Sequence, residues 1–486
     1  MIIRDAKQIA VVAAREYDAV VVGSGPNGLS AAIVLARAGL SVLVLEANDT
    51  IGGGARSAEL TLPGFIHDVC SAVHPLAAAS PFLRTLPLHD HGLEWIEQPA
   101  AFSHPFDDGT AAVIERSVLA SAAKFGGDAR GYRALMQPLV NDWQNLYREA
   151  LGPLHVPRHP FTLAALGIRG LLATTWLTKA LFRHPKTRAL FAGVAAHATL
   201  PLNQPPSAAI GLILGVAGHA VGWPIPRGGS ASISHALASY LRSLGGVIAI
   251  NRRVQSLDEL PRSRLVLLDL TPRQILRVAG DRLPAGYRRQ LERFRYGLGT
   301  FKMDWVLDGP IPWRAAECTR AATVHLGGTL EEIARSHADG WAGKVPDRPF
   351  LIVAQPTMFD RSRMPEGDTR HIVWGYAHLP NGNGTDMSGP IEAQIERFAP
   401  GFCERIVARH SMGPADLELE NANLVGGDIN GGESNLMQLL TRPALRLNPY
   451  RTPLRNVYIC SSSTPPGGGV HGMCGYHAAC AALRDL

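Results

Sequence analysis

The sequence lacks the signatures of several common functional classes. Its six cysteines include no CxxC pair, and no Cys/His set has the spacing of a zinc site, so we expect no metal centre. No run of five lysines or arginines occurs, and the net charge of +6 is spread along the chain, which disfavours nucleic-acid binding. The isolated cysteines favour a reduced, cytoplasmic location.

Long uninterrupted apolar runs are also missing. Residues 161–182 and 207–223 approach the ~20 apolar residues that a membrane span requires, but Arg169 and Lys179 interrupt the first run. We interpret both as buried core helices, with a patch lying against a membrane as the alternative. Residues 1–17 place charges around a short apolar run and lack a secretory cleavage pattern. The predicted location is cytoplasmic, with peripheral membrane contact left open.

Near the N-terminus the sequence contains a strand, a glycine turn and a helix. Residues 19–22 form the β-branched run of a strand buried on both faces. Gly-Ser-Gly-Pro-Asn-Gly follows at residues 23–28, and residues 29–38 have helical spacing. Residues 41–45 form a second strand, which ends at Glu46. This βαβ pattern predicts a Rossmann-type dinucleotide site.

Each residue type in this unit suits a dinucleotide. Gly23 allows the tight turn, Gly25 lets the backbone approach a pyrophosphate, and Gly28 permits close helix–sheet packing. The helix N-terminus offers free N–H groups and a positive dipole end to the phosphates. A carboxylate at the end of the second strand can bind both ribose hydroxyls and would repel a 2′-phosphate. The candidate ligands are therefore Gly23, Gly25, Pro26, Asn27, Gly28, Glu46 and Ala47.

The segment after Glu46 distinguishes FAD from NAD. Residues 46–57 resemble the segment of the amine oxidase superfamily in which an acid is followed by a Gly-Gly-Arg element under the FAD phosphates. Here Gly54 stands where the arginine is usual, and Arg56 comes two positions later. The resemblance implies Gly53 and Gly54 as cofactor contacts. It leaves Arg56 as either a phosphate or flavin partner or a surface arginine.

Two later segments extend this resemblance over nearly the whole chain. Residues 226–229, the helix after them and Val254 are similar to the second FAD segment, in which a valine backbone brackets the adenine. Residues 457–475 resemble the last FAD segment of the phytoene desaturase-like family, in its non-carotenoid branch. In that family a glycine-rich loop and a helix N-terminus meet the flavin ring. The resemblance implies Gly472 and Met473 as flavin contacts.

Candidates on the reacting side are fewer. His471 lies next to the implied flavin helix, as a hydrogen-bond donor, a proton acceptor or a loop-shaping residue. Ser71 and His74 belong to the loop that runs along the isoalloxazine in the superfamily. Lys302 matches the amine oxidase lysine with an offset of one residue, which would reverse its face. We therefore favour a surface pair of Lys302 with Asp304 over a catalytic lysine.

A second strand offers candidate pocket residues. Trp374, Tyr376 and His378 alternate on one face, and Gln355 is a further candidate for the same wall. Aromatic residues at this spacing are also typical of an ordinary core.

The predicted fold class is α/β. A Rossmann-type FAD-binding domain, a parallel sheet with flanking helices, is assembled from residues 1–75, 226–296 and 421–486. An α+β substrate domain, helical in residues 76–225 and built on a mixed sheet in residues 297–420, interleaves with it.

The leading functional hypothesis is an FAD-dependent dehydrogenase or desaturase. A hydride would pass from a carbon of a hydrophobic small molecule to flavin N5, and oxygen or a quinone would reoxidise the flavin. A flavin amine oxidase, a redox-neutral flavin isomerase and a non-catalytic flavoprotein scaffold are the alternatives. The substrate, the electron acceptor and the oligomeric state stay open.

Overall fold

The computed structural model describes residues 2–3 and 15–486. The prediction that residues 1–17 lack a secretory cleavage pattern therefore concerns a segment most of which lies outside the described residues.

Six parallel strands form the first sheet. Numbered in chain order, they are β1 (Ile2–Ile3), β2 (Tyr17–Val22), β3 (Val42–Leu45), β10 (Val247–Ala249), β11 (Ser263–Leu268) and β17 (Val457–Ile459). Their order across the sheet is β1-β10-β3-β2-β11-β17, and every pair is parallel. The sheet thus draws its strands from three distant parts of the chain, as predicted.

Helices cover both faces of this parallel sheet. One face carries α1 (Pro26–Arg37), α10 (Ala231–Ser243) and α17 (Met473–Arg484), and the other carries α11 (Pro272–Ala279) and α12 (Ala285–Glu292). Within β2, Val21 packs into the first layer and Val20 into the second. Both side chains are fully buried, which explains the continuous β-branched run. The α/β fold class is confirmed.

A mixed sheet of seven strands forms the second layer. Its strands are β7 (Ala100–Pro105), β8 (Ala111–Ile114), β12 (Gly299–Leu307), β13 (Ala321–Leu326), β14 (Leu351–Ala354), β15 (His371–Leu379) and β16 (Ile406–Met412). Their order is β16-β12-β15-β14-β13-β7-β8, with β7 and β13 parallel and the other neighbours antiparallel. Two short ribbons pair β4 (Ser57–Glu59) with β5 (Ile66–Asp68) and β6 (Trp95–Ile96) with β9 (Ile225–Pro226).

The remaining helices pack mainly between and around the two sheets. They are α2 (Pro75–Ala79), α3 (Val118–Ala123), α4 (Ala129–Asn141), α5 (Trp143–Ala150), α6 (Pro160–Gly170), α7 (Thr174–Leu181), α8 (Pro185–Ala195), α9 (Ser207–Ala220), α13 (Leu330–Trp341), α14 (Ser388–Phe398), α15 (Pro414–Glu420) and α16 (Leu436–Thr441). The exact domain boundaries stay a prediction, because the two sheets share one continuous cleft.

The two apolar stretches differ from each other in burial. Helix α9 is mostly buried, as predicted for a core helix. The prediction was wrong for residues 161–182, because Phe161, Ile168 and Trp176 are 89%, 73% and 63% exposed. Helices α6 and α7 bury only narrow stripes and meet at a 96° bend. Among the described residues, no single helix is long and apolar enough to cross a membrane. Only this bent pair of helices, taken together, has the length and the apolar composition of a span.

Candidate functional site

A single cleft runs from the parallel sheet to the inner face of the mixed sheet. Its open space measures about 2660 Å³, including its mouth. At one end it is lined by the glycine turn, Glu46 and Val254, and at the other by Trp374 and Tyr376. The predicted ligands Gly23, Gly25, Pro26, Asn27, Glu46, Ala47, Gly53, Gly54, Ser71, His74 and Val254 all line it. Eleven of the predicted cofactor contacts and two of the predicted pocket residues therefore share one cavity.

Glu46 is held rigidly at the nucleotide end. One carboxylate oxygen, Oε2, accepts hydrogen bonds from the backbone N–H of Ser24 at 2.9 Å and from its hydroxyl at 2.6 Å. The other, Oε1, accepts from the backbone N–H of Asn48 at 2.9 Å. Arg252 and Arg253 line the cleft next to Val254, although no sequence motif singled them out. The end is thus polar, with one fixed carboxylate and two cations.

The glycine turn leaves no room for side chains. Gly23 has φ of +103°, and a Cβ on Gly28 would lie 2.2 Å from the Gly23 carbonyl oxygen. A Cβ on Gly25 would lie 2.8 Å from the carboxylate oxygen Oδ2 of Asp269. Since backbone groups approach this closely only at glycine, the predicted requirement for glycine at all three positions is met.

Asp269 is a site residue that sequence reasoning missed. It follows β11, whose Leu268 pairs with Val22 of β2, so its carboxylate lies directly beside the glycine turn. Its Oδ2 accepts the N–H of Gly28 at 2.9 Å. Burial raises the pKa of Asp269 to about 7, the Gly28 hydrogen bond opposes this, and the Glu46 charge adds to it. An acid at the end of the strand beside β2 was the available signal.

We expect Asp269→Asn to stabilise the protein with a clear pH dependence. The folded carboxyl stays protonated up to pH of about 7, whereas the unfolded one ionises near 3.8. Wild-type stability should therefore fall as pH rises from 4 to 7, by up to roughly 4 kcal/mol. The amide does not titrate, so the variant should gain over wild type across this window in urea unfolding. Asp90→Asn, at an exposed acid, is the control, and equal pH profiles for wild type and Asp269→Asn would contradict the assignment.

Arg56 does not line the cleft. Its Nη2 donates to the Glu420 carboxylate at 2.9 Å and to the Glu420 carbonyl at 3.2 Å, and its Nε donates to the Gly53 carbonyl at 3.1 Å. Only 8% of the residue is exposed. The interpretation as a surface arginine was wrong, because the residue is mostly buried and its guanidinium pairs with Glu420, whereas the role of Arg56 towards a phosphate or the flavin stays a prediction.

The glycine-rich C-terminal loop lines the cleft a few residues before the predicted contacts Gly472 and Met473. Residues 468–470 line the cleft, whereas His471, Gly472 and Met473 lie behind them. The Nδ1 atom of His471 accepts the backbone N–H of Met473 at 3.0 Å, and burial lowers the pKa of His471 to about 4. His471 therefore shapes the loop, which was one of its three predicted roles. Gly472 has φ of +68°, and a Cβ there would lie 2.2 Å from the Ser30 hydroxyl.

The loop along the other side of the cleft is fixed by hydrogen bonds. The Ser71 hydroxyl donates to the Gly54 carbonyl at 2.8 Å, which ties the loop to the second glycine element. His74 lies 2.7 Å from the Ser230 hydroxyl through Nε2, and burial lowers its pKa to about 4. Both side chains therefore help to hold one wall of the cleft.

Lys302 and Asp304 form an ion pair, as favoured from the sequence, but the pair is buried and not at the surface. The side chains of Lys302 and Asp304 project from the face of β12 that Tyr376 of the next strand shares. Phe301 and Met303 alternate with them along the strand and pack into the core on the other face. Burial alone would raise the pKa of Asp304, but Lys302, together with His67 and His410, holds it well below its usual range. Lys302 lies opposite Tyr376, just outside the cleft lining.

The predicted pocket strand is partly confirmed. Trp374 and Tyr376 line the cleft, and His378 is buried beyond its lining. Gln355 is placed elsewhere: its side chain accepts from the Trp313 indole at 3.1 Å and donates to the carbonyls of Cys318 and Ala321. The proposed wall position of Gln355 was wrong, because these three partners hold the amide away from the cleft.

Comparisons with known proteins agree with this geometry. The NAD(P)-binding Rossmann-like domain family matches residues 21–86. A rat protein described as pyridine nucleotide-disulfide oxidoreductase domain-containing protein 2 is 27% identical over 97% of this chain and 94% of its own length. A phytoene dehydrogenase from Streptomyces griseus is 27% identical over 84% of this chain and 81% of its own.

Solved structures share the whole architecture. Putrescine oxidase bound to putrescine superposes with a TM-score of 0.62 at 19% identity, over 97% of this chain and 99% of that one. An oxidoreductase from Methanosarcina mazei gives 0.65 at 15% identity, over 97% and 100%. At these identities the likeness establishes an amine-oxidase-like fold. The sequence relatives are described as an oxidoreductase-domain protein and a dehydrogenase, so an oxidoreductase is the class of protein that the comparisons support. The resemblance to the non-carotenoid branch stays a prediction.

Proposed function

We propose that this chain binds FAD in the cleft and oxidises a hydrophobic small molecule. The substrate would give a hydride from carbon to flavin N5 and a proton to a nearby base or water, and oxygen or a quinone would reoxidise the flavin. One observation carries the proposal: a dinucleotide turn and an apolar chamber open into the same cavity. The chamber is lined by Ile210, Ile213 and Leu214 of α9 and by Trp374 and Tyr376 of β15. A cofactor bound at the turn would extend towards a site suited to an apolar substrate.

The residues present fit a flavin dinucleotide. Glu46 would bind the ribose hydroxyls, and the N–H groups at the start of α1 would face the phosphates. A Cβ on Gly53 would lie 3.1 Å from the Cα of Gly25, so the two glycine elements form a cradle that side chains would fill. The loop of residues 468–470 and the Ser71 loop would flank the ring. Bound FAD would supply the hydride acceptor, while the protein orients the substrate and excludes water.

FAD binding is tested directly by the purified protein. We expect a yellow preparation whose stripped form recovers one FAD per chain, and Glu46→Gln should weaken FAD binding at least tenfold because charge-assisted hydrogen bonds to the ribose are lost. Glu59→Gln, at an exposed glutamate of β4, is the matched control. Binding of NAD in place of FAD would overturn the proposal.

The enzyme alternatives are separated by anaerobic titration. Bleaching of the bound flavin by one class among amines, cyclic ketones and polyenes would define the reaction, and reoxidation by oxygen or by a quinone analogue would define the acceptor. Turnover without net bleaching would favour an isomerase, and no response to any class would favour a scaffold.

We also propose peripheral membrane contact through α6 and α7. Phe161 and Ile168 of α6 and Trp176 of α7 are exposed, and we call these three side chains the apolar strip. Arg169 and Lys179 lie on the same two helices, with Lys179 paired to Glu331 at 3.3 Å, and α6 packs on α9, which lines the chamber. An apolar strip with basic neighbours is typical of helices that lie in an anionic bilayer surface. A lipid-soluble substrate or quinone would then reach the cleft from the bilayer.

Vesicle sedimentation tests this contact. Wild type should bind phosphatidylglycerol-containing vesicles, and Phe161→Ser/Trp176→Ser should lower the bound fraction at least fivefold, since the buried apolar area drives insertion. Leu119→Ser/Leu419→Ser removes exposed leucines elsewhere and is the control. A wild-type protein that stays in the supernatant would refute membrane contact.

A further inference from the structure

The chamber end of the cleft contains two buried hydrogen-bond donors that no residue in the described part of the chain pairs with. Among the described residues, neither the Thr323 hydroxyl nor the Trp374 indole Nε1 has a hydrogen-bond partner, although both atoms are buried. Both side chains line the cleft, and the residues are 1% and 7% exposed. A buried donor without a partner destabilises the fold, so two at one place suggest that a ligand completes them.

The two donors lie in one row of the mixed sheet. Thr323 of β13 pairs with Ala354 of β14, and Ala354 pairs with Trp374 of β15. All three residues therefore project from the same face, and alanine in the middle leaves space between the two donors. Neighbouring strands lie about 4.8 Å apart, so the backbones of Thr323 and Trp374, with one strand between them, are separated by about 10 Å. The Trp374 indole and a small ligand group can together span this distance.

A third polar group, the His197 side chain, reaches the chamber from the turn that follows α8. His197 lines the cleft, and its Nε2 lies 2.9 Å from Nε2 of His325, two residues beyond Thr323 on β13. Within the described chain, Nδ1 of His325 has no partner. A bare nitrogen lone pair is tolerated there better than an unpaired N–H. The favoured arrangement has the Nε2–H of His325 donating to Nε2 of His197, which places the single ring proton of His197 on Nδ1, the nitrogen left for a ligand.

Among the residues that the structure describes, the chamber lining carries donors but no positively charged side chain. Burial, aided by the nearby His337, lowers the pKa of His197 to about 3, so its ring is neutral at ordinary pH. The charged side chains in the cleft lining all come from the nucleotide end and the loops around it: Glu46, Arg252, Arg253, Asp269 and Arg442. A carboxylate buried among neutral donors would lack a counter-ion, which is strongly unfavourable. A hydrocarbon would leave the donors unpaired.

We propose that the substrate carries a neutral carbonyl oxygen, which accepts hydrogen bonds from Thr323 and Trp374, with His197 as the third donor. This inference deepens the proposed function, since it assigns the substrate class of the same cleft. The rest of the substrate is apolar and packs against Leu200, Ile210, Ile213, Leu214, Trp223 and Ile352. A pure polyene hydrocarbon is thereby a poor ligand, and so is a carboxylate.

Calorimetric titration tests the assignment with three probes of one ring system: 2-decalone, decalin and decalin-2-carboxylate. The protein as purified is used with and without added FAD, so a failure to bind FAD is seen separately from a failure to select the ketone. Wild type should bind the ketone at least tenfold more tightly than either other probe. Thr323→Val and Trp374→Phe should each reduce the ketone affinity about three- to tenfold and leave decalin affinity unchanged.

Thr385→Val, at an exposed threonine outside the cleft lining, is the matched control and should change nothing. Equal wild-type affinity for ketone and hydrocarbon would overturn the proposal, and so would tighter binding of the carboxylate. A ketone preference that both donor variants retain in full would show that other groups recognise the oxygen, and would also overturn it.

Discussion

Gly475→Ala should abolish FAD binding at micromolar cofactor and lower the stability of the fold by several kcal/mol. Gly475 lies in the first turn of α17, where a Cβ would be 1.8 Å from the backbone oxygen of Asn27 and 3.0 Å from the backbone nitrogen of Ala31. Both atoms belong to α1, so the two helices touch backbone to backbone directly behind the glycine turn. Overpacking of this kind costs about 1–3 kcal/mol or more, because no side chain can move aside.

The sign of the stability change in Gly475→Ala distinguishes an effect of packing from an effect of helix propensity. Alanine is intrinsically the better helix former by about 1 kcal/mol, so propensity alone would stabilise the variant. Gly389→Ala, in the first turn of α14 with open space around it, is the matched control. Flavin fluorescence should show FAD bound to the control and absent from Gly475→Ala, and urea unfolding should show a control as stable as wild type or slightly more stable and a destabilised Gly475→Ala. A Gly475→Ala protein that holds FAD normally would show that α17 does not support the turn.

The nucleotide end was predictable because its signals are local. The β2–α1–β3 unit is continuous in sequence, and its order of strand, glycine turn and helix is recognisable without knowledge of the rest of the chain. For Asp269 the only signal was an acid at the end of a strand. That strand lies more than two hundred residues later, so its place beside the turn could not be read from the local sequence. Strand pairing at that distance is set by tertiary packing and has no short motif.

The substrate side was predictable only in part. Period two correctly placed Lys302 and Asp304 on one face of β12, but it could not show that the mixed sheet buries that face. Residues 161–182 were wrongly predicted to be buried for a related reason. A core helix and a helix with an exposed apolar surface have similar apolar composition. Burial depends on what packs against an element, and this information lies elsewhere in the chain.

Lys302→Met should destabilise the protein by about 3–5 kcal/mol at pH 7, because it leaves Asp304 buried without its cation. The remaining neighbours do not replace the lysine: Nδ1 of His67 is 3.5 Å and Nδ1 of His410 is 3.7 Å from the carboxylate. Lys302→Met/Asp304→Leu removes both charges from the buried site and should recover most of the loss. Urea unfolding of the two single variants and the double variant gives the coupling energy between the two side chains.

The pH dependence of the same series distinguishes a structural ion pair from a residue that acts only on the substrate. In wild type the pKa of Asp304 is depressed, so the stability it contributes is present above the unfolded value near 3.8 and is lost as pH falls through the lower folded value. In Lys302→Met, burial should instead raise the pKa of Asp304, and protonation should then relieve the buried charge. The stability deficit of the single variant should therefore shrink as pH falls from 7 to 4. A deficit that stays constant over this range, or a Lys302→Met protein as stable as wild type, would show that Asp304 does not depend on Lys302. In that case a role for Lys302 towards the cleft becomes the better explanation of a buried lysine opposite Tyr376.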